Sequence, residues 1–134
     1  MDLRALCGQD SSAKRRKISM LKFMVVLYRR PDLTIEQFRR HLEEVHAPLA
    51  KNLPGLRGYK QNHVVPDAKR KRPEWDAIVE LYFDNRETME AAWTSQQGAA
   101  SDADLPAFAD LTRTSWSAVE EVTSRPPGYR EIRG

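Results

Sequence analysis

The stretch LKFMVVLYRRPDLTIEQFRRHLEEVHAPLAKNLPGLRGYKQNHVV, residues 21–65, decides the fold. Its first part, Leu21–Arg30, is apolar on both faces, which is typical of a central strand that is covered on both sides. A helical pattern follows, and Leu56–Val65 then alternates between apolar and polar residues in the manner of a second strand. The stretch therefore predicts a strand–helix–strand unit.

The helix of this unit carries both a start signal and a stop signal. Thr34 suits the N-cap position, Gln37 completes a capping box three residues later, and Pro54-Gly55 ends the helix. One face is expected to be buried, because its apolar residues recur at helical spacing. These residues are Ile35, Phe38, Leu42, Val45, Leu49 and Leu53.

The rest of the chain repeats this pattern in a shorter form. We predict a third strand at Trp75–Phe83, a second helix near Asp84 with Glu87 at its capping-box position, and a fourth strand at Ser115–Val122. Residues 97–113 are less regular and predict a short packed helical turn. The order β-α-β-β-α-β predicts an α+β fold, a ferredoxin-like sandwich whose four-stranded antiparallel sheet is covered by helices on one face.

The sheet face opposite the helices is the predicted partner surface. Leu21–Tyr28 and Ile78 indicate that this face is apolar as well. A monomer rarely exposes an apolar patch of that size, and a second copy stacked sheet against sheet would cover it. We therefore expect a homodimer formed through the open sheet face.

The composition is that of one globular domain with a charged extension. The chain has 134 residues, a net charge of +3 and a mean hydropathy of −0.66, and no apolar run approaches the length of a membrane span. We expect a disordered basic leader at residues 1–19, one domain at residues 20–123 and a C-terminal arm at residues 124–134. Because the excess positive charge lies in the leader, neither nucleic acid nor membrane is an expected partner of the domain.

The leader contains a basic run and the single cysteine of the chain. Lys14, Arg15, Arg16 and Lys17 could form a nuclear-targeting or anion-binding patch, but short basic runs are weakly specific, so a plain solvated extension is the favoured interpretation. Cys7 has no partner for an intramolecular disulfide, and the leader lacks the apolar core of a secretory signal. These features favour a cytoplasmic location.

His46-Ala47-Pro48 interrupts the first helix and marks the candidate catalytic site. Pro48 lacks a backbone donor and clashes with the carbonyl of Glu44, so a kink is expected, with Ala47 outside helical geometry. The kink would open space between helix and sheet, towards which His46 points. An imidazole held there exchanges a proton near neutral pH, which makes His46 the candidate general acid/base. A purely structural role, in which His46 bonds groups of the broken turn, remains the alternative.

The second strand supplies candidate ligand-binding residues. Tyr59, Gln61 and His63 alternate and therefore lie on one face, where they suit the oxygen atoms of a phenol, an enol or a carboxylate. Tyr28 and Trp75 are candidate aromatic walls of the same site. Structural alternatives remain open, because the polar row fits a solvated sheet face and the two aromatic residues fit ordinary core packing.

A metal site is not expected. The segment HLEEVH places His41 and His46 five residues apart, about 140° around a helix, whereas a zinc-binding pair lies four residues apart on one face. His41 is therefore expected on the flank of the helix, in contact with solvent. No phosphate loop, dinucleotide fingerprint or nucleophile elbow is present, so no cofactor is expected.

Four motifs together resemble the EthD domain family of the dimeric α/β-barrel superfamily. They are RRPDL at residues 29–33, HAP at 46–48, LPGLR at 53–57 and YKQNH at 59–63. The resemblance extends over residues 21–122. It implies a ferredoxin-like protomer that pairs into a dimeric α/β barrel, with a pocket that contains no metal, flavin or haem.

The resemblance also implies a function. It implies a cofactor-independent enzyme that performs acid/base chemistry on an aromatic or polyketide-like hydrophobic molecule, by decarboxylation, dehydration, cyclisation or related oxidative catabolism. By position it assigns an acid/base role to His46 alone. His41-Leu42 stands where members often have Tyr-Trp, which alters the pocket wall. The alternative is a non-catalytic accessory or ligand-carrier protein of a degradation or biosynthetic pathway.

Overall fold

The computed structural model describes residues 20–128, and four strands form one antiparallel sheet in the order β2-β3-β1-β4. The strands are β1, Leu21–Leu27; β2, Gly58–His63; β3, Ala77–Phe83; and β4, Ser115–Val119. Strand β1 lies centrally between β3 and β4, as its apolar sequence predicts. The strand order and the element sequence confirm the ferredoxin-like fold.

The helices form two segments on one face of the sheet. The first segment comprises helix α1, Ile35–His41, a π-helical turn, Leu42–His46, and helix α2, Ala47–Lys51. The second comprises helix α3, Arg86–Trp93, helix α4, Gln96–Asp104, and a 3₁₀ turn, Leu105–Ala107. No helix in residues 20–128 is both long enough and apolar enough to cross a bilayer.

The predicted leader, residues 1–19, lies outside the described residues, and so do residues 129–134 of the predicted arm. Residues 124–128 belong to no helix or strand. The proposed roles of Cys7 and of the basic run in the leader therefore stay predictions.

The capping box of the first helix is confirmed. The Thr34 hydroxyl accepts a hydrogen bond from the Gln37 amide, and the Thr34 amide donates to the Gln37 side chain. The second helix starts near Asp84, as predicted, but Glu87 does not hold the capping-box position, because Asn85 caps the helix through a hydrogen bond from the amide of Thr88. Both residue types are good caps, so the sequence alone does not choose between neighbours.

The region 97–113 is more helical than its sequence pattern predicts. Helix α4 starts after Ser95, whose hydroxyl accepts a hydrogen bond from the amide of Gly98. Small and polar residues dominate this helix, so it lacks the apolar periodicity from which helices are recognised. Gly98 has no room for a Cβ against the carbonyl oxygen of Ala92, so helices α3 and α4 pack closely.

The prediction that Ala47 leaves helical geometry was wrong. Its φ and ψ angles are −58° and −44°, and Pro48 lies in the first turn of helix α2, a position that tolerates proline. The disturbance appears earlier, as the π-helical turn in which the Ala47 amide donates to the carbonyl of Leu42. This turn rotates Val45, a predicted core residue, into solvent, where it is 45% exposed.

The open face of the sheet is mixed rather than wholly apolar. Met24, Val26 and Ile78 form its apolar part, and Val26 pairs directly with Ile78 across β1 and β3. Beside them Lys22 lies 3.5 Å from the carboxylate of Glu80. The expectation of a uniformly apolar face overlooked these charges, which the strand alternation places on the same side as the apolar residues.

Candidate functional site

A cavity of about 490 Å³ lies between the helices and the sheet, within the usual size range of small-molecule pockets. Its lining is mainly apolar. The lining residues are Phe23, Val25, Leu27, His46, Ala50, Leu53, Tyr59, Val79, Leu81, Trp93, Gly98, Ala99, Ser101, Asp102, Leu105 and Trp116. Ala99, Asp102 and Trp116 are solvent-exposed, so the cavity opens beside them, between α4 and β4.

His46 lies in the cavity wall and is held there by a carboxylate. Its side chain is 9% exposed, and Nδ1 lies 3.0 Å from Oδ2 of Asp104. An ionised carboxylate only accepts, so Nδ1 carries the hydrogen and the lone pair of the neutral ring resides on Nε2. Within residues 20–128, Nε2 has no hydrogen-bond partner. Burial lowers the pKa of His46, while Asp104 opposes this effect.

Two unusual helix features bring His46 and Asp104 together. His46 is the last residue of the π-helical turn, and such turns are frequent at functional sites. Asp104 ends helix α4, immediately before the 3₁₀ turn. The buried ring of Phe108 packs at 5.0 Å from the His46 ring and restricts the orientation of the imidazole.

Tyr59 lines the same cavity, and its hydroxyl is part of a hydrogen-bond network. The side-chain amide of Gln61 donates to the Tyr59 hydroxyl at 2.9 Å and to the carbonyl of Leu42 at 3.3 Å. Because a carbonyl can only accept, the second contact fixes the orientation of the Gln61 amide. The Tyr59 hydroxyl therefore accepts from Gln61 and keeps its own hydrogen to donate. Burial raises the pKa of Tyr59, which keeps the phenol protonated.

Gln61 and His63 extend the hydrogen-bond network of Tyr59 beyond the cavity lining. The Gln61 oxygen accepts a hydrogen bond from Nε2 of His63 at 3.0 Å, and neither residue lines the cavity. Nδ1 of His63 is buried without a partner among the described residues. Burial, together with the charge of Arg39, lowers the pKa of His63. Of the three predicted ligand-binding residues of β2, Tyr59 therefore lines the cavity, and Gln61 and His63 do not.

Tyr28 and Trp75, the predicted aromatic walls, are not brought into the cavity. The ring of Tyr28 packs under the guanidinium of Arg113 at 4.4 Å, and Trp75 lies half-buried before β3 begins. The aromatic walls are instead Phe23, Trp93 and Trp116, of which the first two pack at 4.9 Å. The alternation in β1 could have identified Phe23, because it shares a face with the buried Val25.

Asp104 and His41 are the residues that sequence reasoning missed. Nε2 of His41 lies 3.0 Å from both carboxylate oxygens of Asp104, and its ring stacks on Phe108 at 4.7 Å. The His41 side chain is 24% exposed, so it contacts solvent as expected, but the π-helical turn aligns residues five apart and also brings the ring to Asp104. Within residues 20–128, no group of His, Cys, Asp or Glu side chains has the arrangement of a metal site.

Comparison with known proteins identifies the family. The family model of the EthD domain matches residues 30–112. A crystal structure of an EthD family protein from Bacillus halodurans C-125 is 29% identical, with a TM-score of 0.67, and the match covers 77% of this chain and 99% of that one. No protein with a curated description matches the chain.

More distant structures share the fold. A dimeric protein of unknown function with a ferredoxin-like fold, from Bacteroides fragilis NCTC 9343, is 17% identical with a TM-score of 0.54, and the match covers 75% of this chain and 92% of that one. SnoaB, a cofactor-independent oxygenase from Streptomyces nogalater, is 9% identical with a TM-score of 0.56, over 81% of this chain and 98% of that one. The fold agrees with the family model, which spans most of the chain, and this protein belongs to the EthD domain family.

Proposed function

We propose that this protein is an enzyme that uses its own side chains for acid/base chemistry on a hydrophobic small molecule. The observation that carries the proposal is that His46, which lines an apolar cavity, is bonded to the carboxylate of Asp104. A carboxylate that bonds Nδ1 leaves Nε2 as the basic atom and stabilises the imidazolium that forms when Nε2 takes up a proton. Ordinary core packing requires neither a buried base nor a cavity beside it.

In the proposed step, Nε2 of His46 takes a proton from a carbon or hydroxyl group of the substrate. Tyr59 donates a hydrogen bond to the substrate oxygen on which negative charge develops. The imidazolium then returns the proton to another atom of the substrate or product, so the enzyme ends unchanged. This sequence serves enolisation and cyclisation, and with loss of carbon dioxide or water it serves decarboxylation or dehydration.

The lining of the cavity favours a planar aromatic or polyketide-like substrate. Phe23, Trp93 and Trp116 offer aromatic surface, and aromatic rings pack well against one another. His46 and Tyr59 supply polar atoms in an otherwise apolar wall. A ligand with an extended apolar body and a phenol, enol or carboxylate group would match both parts of this lining.

The proposal includes a homodimer formed through the open sheet face, in the cytoplasm. Met24, Val26 and Ile78 lie on that face, no helix of residues 20–128 covers them, and a related fold from Bacteroides fragilis is dimeric. The pair Lys22–Glu80 lies beside them and would form the polar part of the interface.

A non-catalytic carrier is the alternative, because an apolar cavity would also hold a ligand without changing it. The test is to incubate the protein with a panel of hydroxylated aromatic acids and polyketide-like phenols, and to follow both binding and chemical change by mass spectrometry. Wild-type protein is compared with His46→Gln and with Lys51→Gln, an exposed control on helix α2.

The three outcomes differ clearly. Turnover that falls about 10²- to 10⁴-fold in His46→Gln, but not in Lys51→Gln, supports the enzyme. Binding without any chemical change supports the carrier and overturns the enzyme. Turnover that survives in His46→Gln would show that the imidazole is structural.

A further inference from the structure

Two imidazoles share one carboxylate beside the cavity. Asp104 accepts from Nδ1 of His46 through Oδ2 and from Nε2 of His41 through both oxygens, each contact at 3.0 Å. With Asp104 ionised, both rings must donate, which leaves one lone pair on each neutral imidazole: Nε2 of His46 and Nδ1 of His41. The cluster therefore has two basic positions but only one negative charge.

The arrangement is rigid. His41 is the last residue of helix α1 and His46 the last of the π-helical turn, so the turn spans the interval between them. Both rings pack on Phe108, which is fully buried, at centroid distances of 4.7 and 5.0 Å. Contact with Phe108 and contact with Asp104 therefore both hold each imidazole in its position.

The two rings differ in access to solvent. The His41 side chain is 24% exposed and that of His46 is 9% exposed. Charge on His41 is therefore better solvated, and a charged ring stacked on Phe108 gains from the aromatic face. Once His41 carries the charge that Asp104 neutralises, a further proton on His46 would add an uncompensated positive charge to a buried site.

We propose that His41 is a positioning residue that competes with His46 for Asp104 and thereby keeps the His46 ring neutral, with Nε2 able to accept a proton. An undivided Asp104–His46 pair would hold the imidazolium more strongly and leave less free base near neutral pH. The consequence for catalysis rests on the proposed function, but the competition itself does not.

The other groups around His46 do not replace this effect. Asp104 faces it from helix α4, and Tyr59 faces the same cavity from β2 as a protonated phenol. Asp102 lies in the cavity lining but is exposed to solvent, where its charge is screened. Burial lowers the pKa of His46 most, Asp104 raises it, and the charge of His41 lowers it further.

The test is a pH titration of the His46 ring by NMR in full-length wild-type protein and in His41→Gln. Glutamine keeps a neutral donor for Asp104 but removes the charge. The expected result is that the His46 midpoint moves to higher pH. Arg40→Gln, which removes an exposed positive charge from the same helix, is the control and leaves the midpoint nearly unchanged.

An unchanged or lower His46 midpoint in His41→Gln would overturn the proposal, whatever the activity of the variant. Wild-type protein provides a second measurement that does not depend on folding of a variant: the His41 ring signals should respond to the titration of His46, because both rings bond one carboxylate. His41 signals that do not respond to the titration of His46 would also overturn the proposal. If the midpoint moves as expected while His46→Gln keeps full turnover, the competition stands and the proposed acid/base role of His46 fails.

Discussion

Asp104 and His46 lie 58 positions apart in the chain, yet their side chains meet at 3.0 Å in the wall of the cavity. The bond joins the end of helix α4 to the end of the π-helical turn. A free imidazole in a protein samples both tautomers, whereas this one is restricted to the tautomer that leaves Nε2 basic. The base that we propose is therefore the Asp104–His46 pair rather than His46 alone.

Asp104→Asn tests this relationship. The amide keeps the size of the carboxylate but loses the charge that favours the imidazolium, so the pKa of His46 should fall and turnover should drop on the order of 10²-fold or more. Enzyme assays and a ring titration by NMR measure the two effects. Asp102→Asn, which changes an exposed carboxylate at the cavity mouth, is the comparison and should leave the titration of His46 in place.

The stability of the protein should decrease in mild acid. Burial lowers the pKa of folded His46 below the ordinary value of 6.5, and His63 shifts in the same direction. As the pH falls below 6.5, the unfolded chain binds protons that the folded chain excludes, so the free energy of unfolding falls until the folded pKa is passed. Urea unfolding above and below this pH measures the change. His46→Gln should reduce the pH dependence, and an unaltered dependence would contradict the assignment.

Tyr59→Phe tests the contribution of the hydroxyl group, because phenylalanine keeps the ring. The Gln61 amide keeps the Leu42 carbonyl as an acceptor, so the loss of one hydrogen bond should cost only about 1 kcal/mol of unfolding free energy. Turnover should fall on the order of 10²-fold, because the donor to the developing oxyanion is removed. Tyr82→Phe removes a matched hydroxyl that donates to Glu80 on the opposite sheet face, and it should keep turnover. Equal losses of turnover in both variants would indicate that the substitutions act by disturbing the fold rather than by removing a donor at the site.

Ile78→Asp tests the partner surface. By two-fold symmetry the substitution would place two unpaired carboxylates in the proposed interface, which should weaken dimerisation by at least about 100-fold. Sedimentation velocity measures the association. Val65→Asp changes an apolar residue that is 67% exposed and lies outside the strands, and it should remain dimeric. A wild-type monomer, or a dimer that persists in Ile78→Asp, would exclude this face.

Patterns of neighbouring residues in the sequence were sufficient to predict the fold. In β3, every second residue of the sequence is apolar and every second residue of the structure is buried, at the same positions. The Thr34–Gln37 capping box marks the start of helix α1. Each of these signals depends on residues within one element. For that reason the number, order and type of the main elements followed from the sequence, while the ends of strands and the cap at Asn85 did not.

The candidate site was predicted only in part. Pro48 correctly indicated a disturbance beside His46, but the chain relieved it with a π-helical turn rather than with a break. Because of the π-helical turn, Val45 points into solvent and the His41 side chain contacts Asp104. Tyr28 and Trp75 were assigned by residue type alone, and residue type does not say which aromatic rings reach a cavity.

The sequence by itself determined the ferredoxin-like order of elements and the presence of a histidine where the first helix is disturbed, because caps, periodicity and proline act within a few residues. Only the tertiary structure decided that Asp104 would orient this histidine and that Tyr59 would face the same cavity. These contacts join elements far apart in the chain, and their distances depend on how helices α2 and α4 pack over the sheet. Packing of that kind is set by the shapes of many side chains together, so no short stretch of the sequence encodes it.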